Sequence, residues 1–330
     1  MVNRLLLLGM ILIFLTCCSD RNYFHIEGLA QGTTYHVTYR GNRDFSHSID
    51  SILKAVDKSL NAWDSSSIIS RINNNDTSVV ADSLFVRVFT KAKQINRESH
   101  GLFDITVAPL VKAWGFYRKQ KTLPDSLEIK HLLSLVGMGK IELKNNKIIK
   151  QNPNITLDVN AIAPGLSVDV VAEFLQRQGV ADYMVEIGGE LKCCGLNPDR
   201  KRWHVGIEAP IEGTQMMGEE LSTVVQISGR AMATSGNYRK FIVENGIKYG
   251  HHLNPITGYP SKNPLLSVTI IANDCVSADA YATACIVMGP DKAKEFLLTH
   301  NDLDAYFIYS DNRGNYQVFM TNRLKSLVQK

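Results

Sequence analysis

The 330-residue sequence has no long run of basic residues, no CxxC pair, no internal repeat and no low-complexity tract. Its formal net charge of +4 is mild, and Lys and Arg are spread along the chain, so nucleic-acid binding is a poor first hypothesis. Without a CxxC pair or a Cys/His cluster, zinc is not indicated either. What is present, 45% hydrophobic and 21% charged residues, is enough for one large domain or two moderate ones with a substantial core.

The N-terminus carries an apolar run, "LLLLGMILIFLT", after the polar Asn3 and Arg4. The run is too short to span a bilayer comfortably and is typical of a secretory signal peptide. The following Leu15-Thr16-Cys17-Cys18 resembles a bacterial lipobox, which favours Cys18 as the lipidated residue, with Cys17 as the alternative. We therefore predict a signal peptide over 1–17, a lipidated tether over 18–27, and a body outside the cytoplasm. An uncleaved N-terminal anchor helix is the alternative.

The rest of the chain mixes helical and strand patterns. Apolar residues at helical spacing predict helices in "SHSIDSILKAVDKSLNAW", "SLFVRVFTKAKQINRESHG" and "LSVDVVAEFLQRQG". Alternating or β-rich stretches predict strands in "LAQGTTYHVTYRG", "KIELKNNKIIKQ", "DYMVEIGG", "RWHVGIEAP", "LSTVVQISGRAMATS", "LLSVTIIAN", "DAYFIYS" and "YQVFMTN". The strands follow one another too directly for a doubly wound nucleotide fold, so we expect an α+β (mixed α/β) fold of largely antiparallel sheets flanked by helices.

A hairpin is predicted in "YRKFIVENGIKYGHH", where Asn245-Gly246 is the signature of a two-residue type I′ turn. In that register, residues whose numbers sum to 491 face each other, so Arg239 lies opposite His252. The hairpin should bring "TSGN", just before it, close to "NPITGYP", just after it.

A carboxylate stands out in the small, apolar stretch "CVSADAYATACIVMGP", which predicts a helix packed on most sides. With Ser277 as the N-cap, Asp279 would occupy the second helical position, where free amides and the helix dipole favour an anion. That explanation does not cover Thr283, which lies four residues on and on the same face. A carboxylate and a hydroxyl are hard oxygen ligands suited to magnesium, and spacing alone leaves both interpretations open.

Other polar candidates each have a structural alternative. Asp158 is either a turn residue or part of a site, with Asn160 as a possible cap for a helix starting near Pro164. The run Thr234-Ser235-Gly236 offers hydroxyls and amides of the kind that hold phosphate, although three such residues are weak evidence. The remaining candidates are Asp104 in an apolar context and the pair His251 and His252.

Taken in order, seven stretches resemble one known family, the ApbE family of FAD:protein FMN transferases. These are "QGTTY", "GLFDITVAPL", "DVNAIAPGLSVD", "IGGE", "ATSGNYRKF", "HHLNPITGYP" and "SADAYATA". The resemblance runs from about Gly28 to the C-terminus. No single stretch is specific, whereas their ordered combination is.

The resemblance implies a single ApbE-like (T-fold-like) catalytic domain over 28–330, with FAD in a cleft. Magnesium would help to transfer FMN from FAD to a Ser or Thr hydroxyl of a target protein, with release of AMP. By resemblance, the magnesium site comprises Asp279 and Thr283, with Ala282 beside them and the carbonyl of Ala161. His252 would accept the proton of the attacking hydroxyl, and Asp279 would be the second catalytic residue. The residues that would bind FAD are Gln31, Trp63, Leu102, Phe103, Asp104, Asp158, Pro164, Ser235, Gly236 and Leu253.

Some positions depart from the family pattern. Pro164, Gly165 and Leu166 stand where Lys or Gln followed by Gly and Tyr is usual, Gln31 replaces a frequent Met, and Asn254 replaces a frequent Asp. Two other functions therefore stay open: a magnesium-dependent FAD pyrophosphatase that releases AMP and FMN, and a non-catalytic flavin-binding lipoprotein. The partners implied are FAD, a membrane reached through the N-terminal lipid, and target proteins with a Ser/Thr flavinylation motif, such as membrane redox subunits.

Overall fold

The structure is a computed structural model that describes residues 22–117, 123–210, 220–237, 241–244 and 247–329. The predicted signal peptide, both candidate lipidation sites, Arg239 and the Asn245-Gly246 turn lie outside the described residues. Within them, no helix combines the length and the apolar character that a membrane span requires.

The α-helices are α1 (Ser46–Leu60), α2 (Ile68–Asn73), α3 (Ser83–Glu98), α4 (Ala108–Ala113), α5 (Ser126–Leu133), α6 (Ala163–Arg177), α7 (Cys275–Met288), α8 (Pro290–Leu298) and α9 (Asn322–Lys325). Short 3-10 helices cover Ile105–Val107 and Met138–Lys140. The strands are β1 (Asn22–Ala30), β2 (Thr33–Gly41), β3 (Ile141–Lys144), β4 (Lys147–Lys150), β5 (Tyr183–Ile187), β6 (Glu190–Cys194), β7 (Trp203–Glu208), β8 (Leu221–Ile227), β9 (Arg230–Gly236), β10 (Phe241–Glu244), β11 (Ile247–Gly250), β12 (Leu265–Ala272), β13 (Asp304–Ser310) and β14 (Tyr316–Met320).

One large sheet organises the molecule, in the order β1-β2-β5-β6-β9-β12-β13-β14. Every neighbouring pair in it is antiparallel. The pairs β3-β4, β7-β8 and β10-β11 form separate two-stranded sheets. The predicted α+β fold with largely antiparallel sheets is confirmed.

The two faces of the large sheet are covered differently. Because successive strand residues point to opposite faces, Ile270 packs into the core under the helices while Ile271 packs into the core on the other side. Helices α6 and α7 lie on the first face, and Trp203 and Val225 of the β7-β8 pair contribute to the core of the second. The two helices lie side by side on this face, α6 against β5 and β6 and α7 against β9 and β12.

Helix α7 is enclosed, as its composition predicts. The alanines at positions 278, 280, 282 and 284 are fully buried although they point in different directions around the helix axis. Small side chains let the sheet and α6 approach closely, and they leave little room for solvent around any polar group that α7 carries.

The first hairpin differs from the prediction of a single strand in "LAQGTTYHVTYRG". Ala30 pairs with Thr33, and Gln31 and Gly32 form a tight turn with positive φ angles of 56° and 76°. Strand β1 begins at Asn22, so residues 22–27 of the predicted tether belong to the sheet. Strand β6, which was not predicted, fills the position between β5 and β9.

Two helix starts also differ from the sequence-based expectation. Helix α7 begins at Cys275 and its N-cap is Asp274, whose side chain accepts a hydrogen bond from the Ser277 amide; Ser277 is therefore not the cap. Helix α6 has Ile162 as its N-cap without a side-chain bond, so Asn160 does not cap it.

Candidate active site

Asp279 lies in the second turn of α7 and is 6% exposed. Its Oδ2 accepts a hydrogen bond of 3.0 Å from the Gly165 amide in the first turn of α6. The amide that holds this carboxylate thus comes from a neighbouring helix, not from the start of its own. Burial raises the pKa of Asp279 to about 7, and the bond from Gly165 opposes that shift.

Two hydroxyls complete this cluster. Thr283 follows Asp279 by one helical turn, and its Oγ1 lies 3.1 Å from Oγ of Ser235 on β9. Ser235 is buried, and the next residue, Gly236, ends the strand. The structure therefore brings Ser235, which belongs to a separate sequence motif, to the helix that carries Asp279 and Thr283.

The residues fit a hard divalent cation. Asp279 Oδ1 accepts no hydrogen bond from any described residue, so one oxygen of a buried carboxylate lacks a donor. With the hydroxyl of Thr283, this oxygen is a ligand of the kind magnesium prefers, and the Ser235 hydroxyl lies beside them. Within the described part of the chain, no three or more His, Cys, Asp or Glu side chains are grouped so that they could hold a metal ion together.

The other two residues of the predicted metal site, Ala282 and Ala161, have no side-chain atom that could bind a metal. Ala282 is fully buried in the core, and its methyl group offers no ligand atom. Ala161 lies directly before the cap of α6 and is partly buried. A role for the Ala161 carbonyl stays a prediction.

The predicted hairpin brings His252 to this end of the sheet. Phe241 pairs with Gly250 and Ile242 with Tyr249, which confirms the register in which paired numbers sum to 491. His252 Nδ1 lies 2.7 Å from Oδ1 of Asn237, two residues after Ser235. The side-chain NH2 group of Asn237 faces the carbonyl of Leu265, so its side-chain oxygen accepts a hydrogen bond from Nδ1–H of His252. In the neutral ring this makes Nε2 the basic nitrogen.

A cavity of about 390 Å³ opens next to α6. Its walls include Gln31 from the β1-β2 turn, Trp63 from the loop after α1, and Pro164 from the first turn of α6. Three of the predicted FAD-binding residues thus share one cavity. Pro164 is directly followed by Gly165, whose amide binds Asp279, so the cavity wall and the carboxylate are joined through one helical turn.

Two aromatic residues, Tyr117 and Trp63, connect Asp158 to this cavity. Its Oδ2 accepts a 2.6 Å hydrogen bond from Tyr117, and Tyr117 makes an edge-on contact with Trp63 at 5.4 Å between ring centroids. Burial raises the pKa of Asp158, and its bond from Tyr117 acts against that shift. Trp63 is 63% exposed, which leaves a ring face open for stacking.

Asp104 has structural partners on both oxygens. Oδ1 accepts from the amide and hydroxyl of Thr106 at 2.8 and 2.5 Å, and Oδ2 accepts from the Met138 amide at 2.9 Å and from Asn96 at 3.2 Å. The carboxylate thus fixes the loop that carries Leu102 and Phe103. This segment adjoins Asp158, whose amide binds the Ile105 carbonyl at 2.7 Å. FAD contacts from residues 102–104 stay a prediction.

Leu253, directly after His252, is buried in a small apolar cluster with Leu110 and Trp114. Trp114 Nε1 donates a 2.8 Å hydrogen bond to the Gly258 carbonyl, which fastens the turn that follows Leu253. Leu253 thereby anchors the segment that presents His252, and its contact with FAD stays a prediction.

Comparisons with known proteins decide the family. The family model described as "ApbE family" matches residues 31–307. The chain belongs to the ApbE family. It is 32% identical to the FAD:protein FMN transferase of Vibrio cholerae over 100% of both chains, and 32% identical to that of Haemophilus influenzae over 95% of this chain and 94% of the relative. The solved structure "Flavin Transferase ApbE from Vibrio cholerae" superposes with a TM-score of 0.82 at 30% identity, covering 93% of this chain and 99% of that one.

Several residues in or next to this candidate site were not among those predicted from the sequence. Tyr117 bonds to a side chain 41 residues away, and no local pattern marks it; Asn237, the last residue of "TSGN", bonds to a side chain 15 residues away. Asp57 lines the cavity, and both burial and repulsion from Asp64 raise its pKa. Asp169 did leave a signal, because it is an acidic residue inside the apolar run "LSVDVVAEF".

Gly165→Ala is expected to destabilise the protein and to impair the site. A Cβ at this position would lie 2.8 Å from the Cys275 carbonyl carbon and 2.9 Å from Asp279 Cβ, so α6 and α7 would have to separate. Overpacking of this kind costs about 1–3 kcal/mol, which thermal unfolding measures. The matched control is Gly139→Ala, because a Cβ there meets nothing within 4 Å. Equal melting temperatures for the two variants would contradict the close helix contact.

Proposed function

We propose that this chain is a magnesium-dependent FAD:protein FMN transferase, which moves the FMN part of FAD onto a Ser or Thr hydroxyl of a target protein. Curated relatives with that name match it over nearly their full length. The observation that carries the proposal is the convergence of Asp279, Thr283 and Ser235, with one carboxylate oxygen lacking a donor among the described residues.

Each residue has a defined task in this proposal. Asp279 and Thr283 would hold Mg²⁺, with the Ala161 carbonyl as a further ligand. When bound, the ion would supply Lewis-acid stabilisation of charge on the diphosphate of FAD. Ser235 and the Gly236 amide would donate hydrogen bonds to phosphate oxygens. Gln31, Trp63 and Pro164 would enclose the flavin part in the cavity.

The chemical step is a displacement at phosphorus. The hydroxyl oxygen of the acceptor bonds to the phosphorus of the FMN part, and the bond from that phosphorus to the AMP part breaks. AMP leaves with the bridging oxygen. His252 Nε2 takes the proton of the hydroxyl, since Asn237 holds the other ring nitrogen as a donor.

We further propose that the protein is a lipoprotein held at a membrane surface outside the cytoplasm. The N-terminal signal sequence and the lipobox-like Leu15-Thr16-Cys17-Cys18 support this proposal. Acceptors would then be membrane-bound redox subunits exposed on the same side. Metabolic labelling with a fatty acid should mark the full chain and not the Cys18→Ala variant; equal labelling of a Cys17→Ala variant and the wild type would agree with Cys18 as the site.

Metal dependence tests the proposed site. FAD turnover should stop in EDTA, return with Mg²⁺, and fall at least about 1,000-fold in Asp279→Ala, because several kcal/mol of charge stabilisation are lost. Asp291→Ala is the control, since its carboxylate on α8 is 93% exposed. Full turnover in EDTA, or an equal effect of the two variants, would contradict the site.

A further inference from the structure

Asp169 is a buried charge that the reaction described above does not use. It lies in the middle of α6 and is 1% exposed. A buried carboxylate is costly unless its oxygens are paired, so its partners indicate what it does.

The partners of Asp169 are at the start of α7. Its Oδ1 accepts from the Cys275 amide at 3.0 Å and from Lys192 Nζ at 3.0 Å, and its Oδ2 accepts from the Val276 amide at 2.9 Å. Cys275 and Val276 are the first residues of α7, whose amides have no partner inside their own helix. The cap of α7, Asp274, accepts from Ser277 and leaves these two amides to Asp169.

A second connection between the same helices lies one turn away. Gly165 and Asp169 are four residues apart on α6, and Cys275 and Asp279 are four residues apart on α7. Residues with this spacing share a helix face. The Gly165 amide binds Asp279 Oδ2, while Asp169 binds the start of α7. Two connections one turn apart fix both the rotation of α7 and its position along its axis relative to α6.

We propose that Asp169 is a positioning residue for the metal site: by holding the start of α7 against α6, it sets where Asp279 and Thr283 point. This inference rests on the proposed magnesium site. The same connection keeps Asp279 in register with Pro164, which lines the cavity from α6. Partners that orient metal ligands from outside the ligand set typically change metal affinity about 10–100-fold when removed.

Asp169→Asn tests the proposal with little change in shape. The amide keeps one acceptor but replaces the other with a donor, which faces either the Val276 amide or both the Cys275 amide and the ammonium of Lys192. We expect the dissociation constant of Mn²⁺, measured from the electron paramagnetic resonance of the free ion, to rise about 10–100-fold. FAD binding in EDTA, followed by flavin fluorescence, should be retained. Should Asp169→Asn fail to fold, the double variant Asp169→Ala/Lys192→Met removes both charges and should show the same loss of Mn²⁺ affinity.

The control is Asp274→Ala, which removes the cap of the same helix without touching α6. It should lower stability by about 1 kcal/mol and leave Mn²⁺ affinity unchanged. If Asp169→Asn and Asp274→Ala bind Mn²⁺ equally well, Asp169 only stabilises α7 and the proposal is overturned while the metal site stands. If wild type and Asp279→Ala bind Mn²⁺ alike, both the metal site and the positioning role are overturned.

Discussion

Asp279→Asn is expected to lower the rate of FMN transfer about 1,000-fold or more and, at pH 8 without metal, to raise the melting temperature. The loss of activity follows from removing the charged ligand. The gain in stability follows from burial, because an Asn can still accept the Gly165 amide without placing a charge inside the protein.

The stability of the folded protein should change with pH, because burial raises the pKa of Asp279. The pKa of Asp279 is about 7 in the folded protein, against 3.8 for an ordinary aspartate. The folded state therefore holds a proton that the unfolded state has released, and stability falls as pH rises from about 4 to about 7. At about 1.4 kcal/mol per pKa unit, the full effect is on the order of 4 kcal/mol above pH 7.

The measurement compares the melting temperatures of wild type and Asp279→Asn in EDTA at several pH values. The variant should be several degrees more stable at pH 8, and the two curves should converge near pH 4. Excess Mg²⁺ should stabilise wild type at pH 8 and leave the variant unchanged. If Asp279→Asn is less stable than wild type by the same amount at every pH, the carboxylate of Asp279 stabilises the fold and does not form a cation site.

His252→Ala is expected to lower the rate of transfer about 100- to 10,000-fold, the range for loss of a general base. The dissociation constant of FAD should change little, because the cavity walls at Gln31, Trp63 and Pro164 are untouched. Single-turnover measurement of AMP release, together with flavin fluorescence for binding, separates the two effects.

Asn237→Asp provides a second variant that keeps the imidazole. A carboxylate beside Nδ1 would stabilise the protonated ring, so the acid limb of the pH–rate profile should move to higher pH. The control is His25→Ala, because His25 is an exposed residue of β1 whose ring lies against the hydroxyl of Thr38 on β2. Normal rates in His252→Ala, or an unmoved profile in Asn237→Asp, would remove His252 from the reaction.

Local patterns in the sequence predicted much of this site. The helical period alone placed Asp279 and Thr283 on one face of α7. The Asn-Gly signal fixed a register that the described pairs of β10 and β11 confirm, and with it the approach of His252 to the end of β9. These features depend on residues only a few positions apart.

Other features depend on which strands and helices become neighbours, and no local pattern contains that information. The contact of Ser235 with Thr283 requires β9 to lie under α7, and the bond from Tyr117 to Asp158 joins segments 41 residues apart. The sequence also does not decide where α7 begins, since both Asp274 and Ser277 are favourable N-cap residues. The structure has Asp274 as the cap, and there the amides of Cys275 and Val276 meet Asp169.

Measuring what becomes of both halves of FAD distinguishes transfer of FMN from hydrolysis. The protein would be incubated with FAD, Mg²⁺ and a purified acceptor domain from the same organism, and AMP, free FMN and acceptor-bound flavin would be quantified together. We expect equal amounts of AMP and covalently bound flavin from the wild-type protein, and neither product from Asp279→Ala. AMP accompanied by an equal amount of free FMN, with no flavin on the acceptor, would contradict this expectation and identify the protein as a hydrolase.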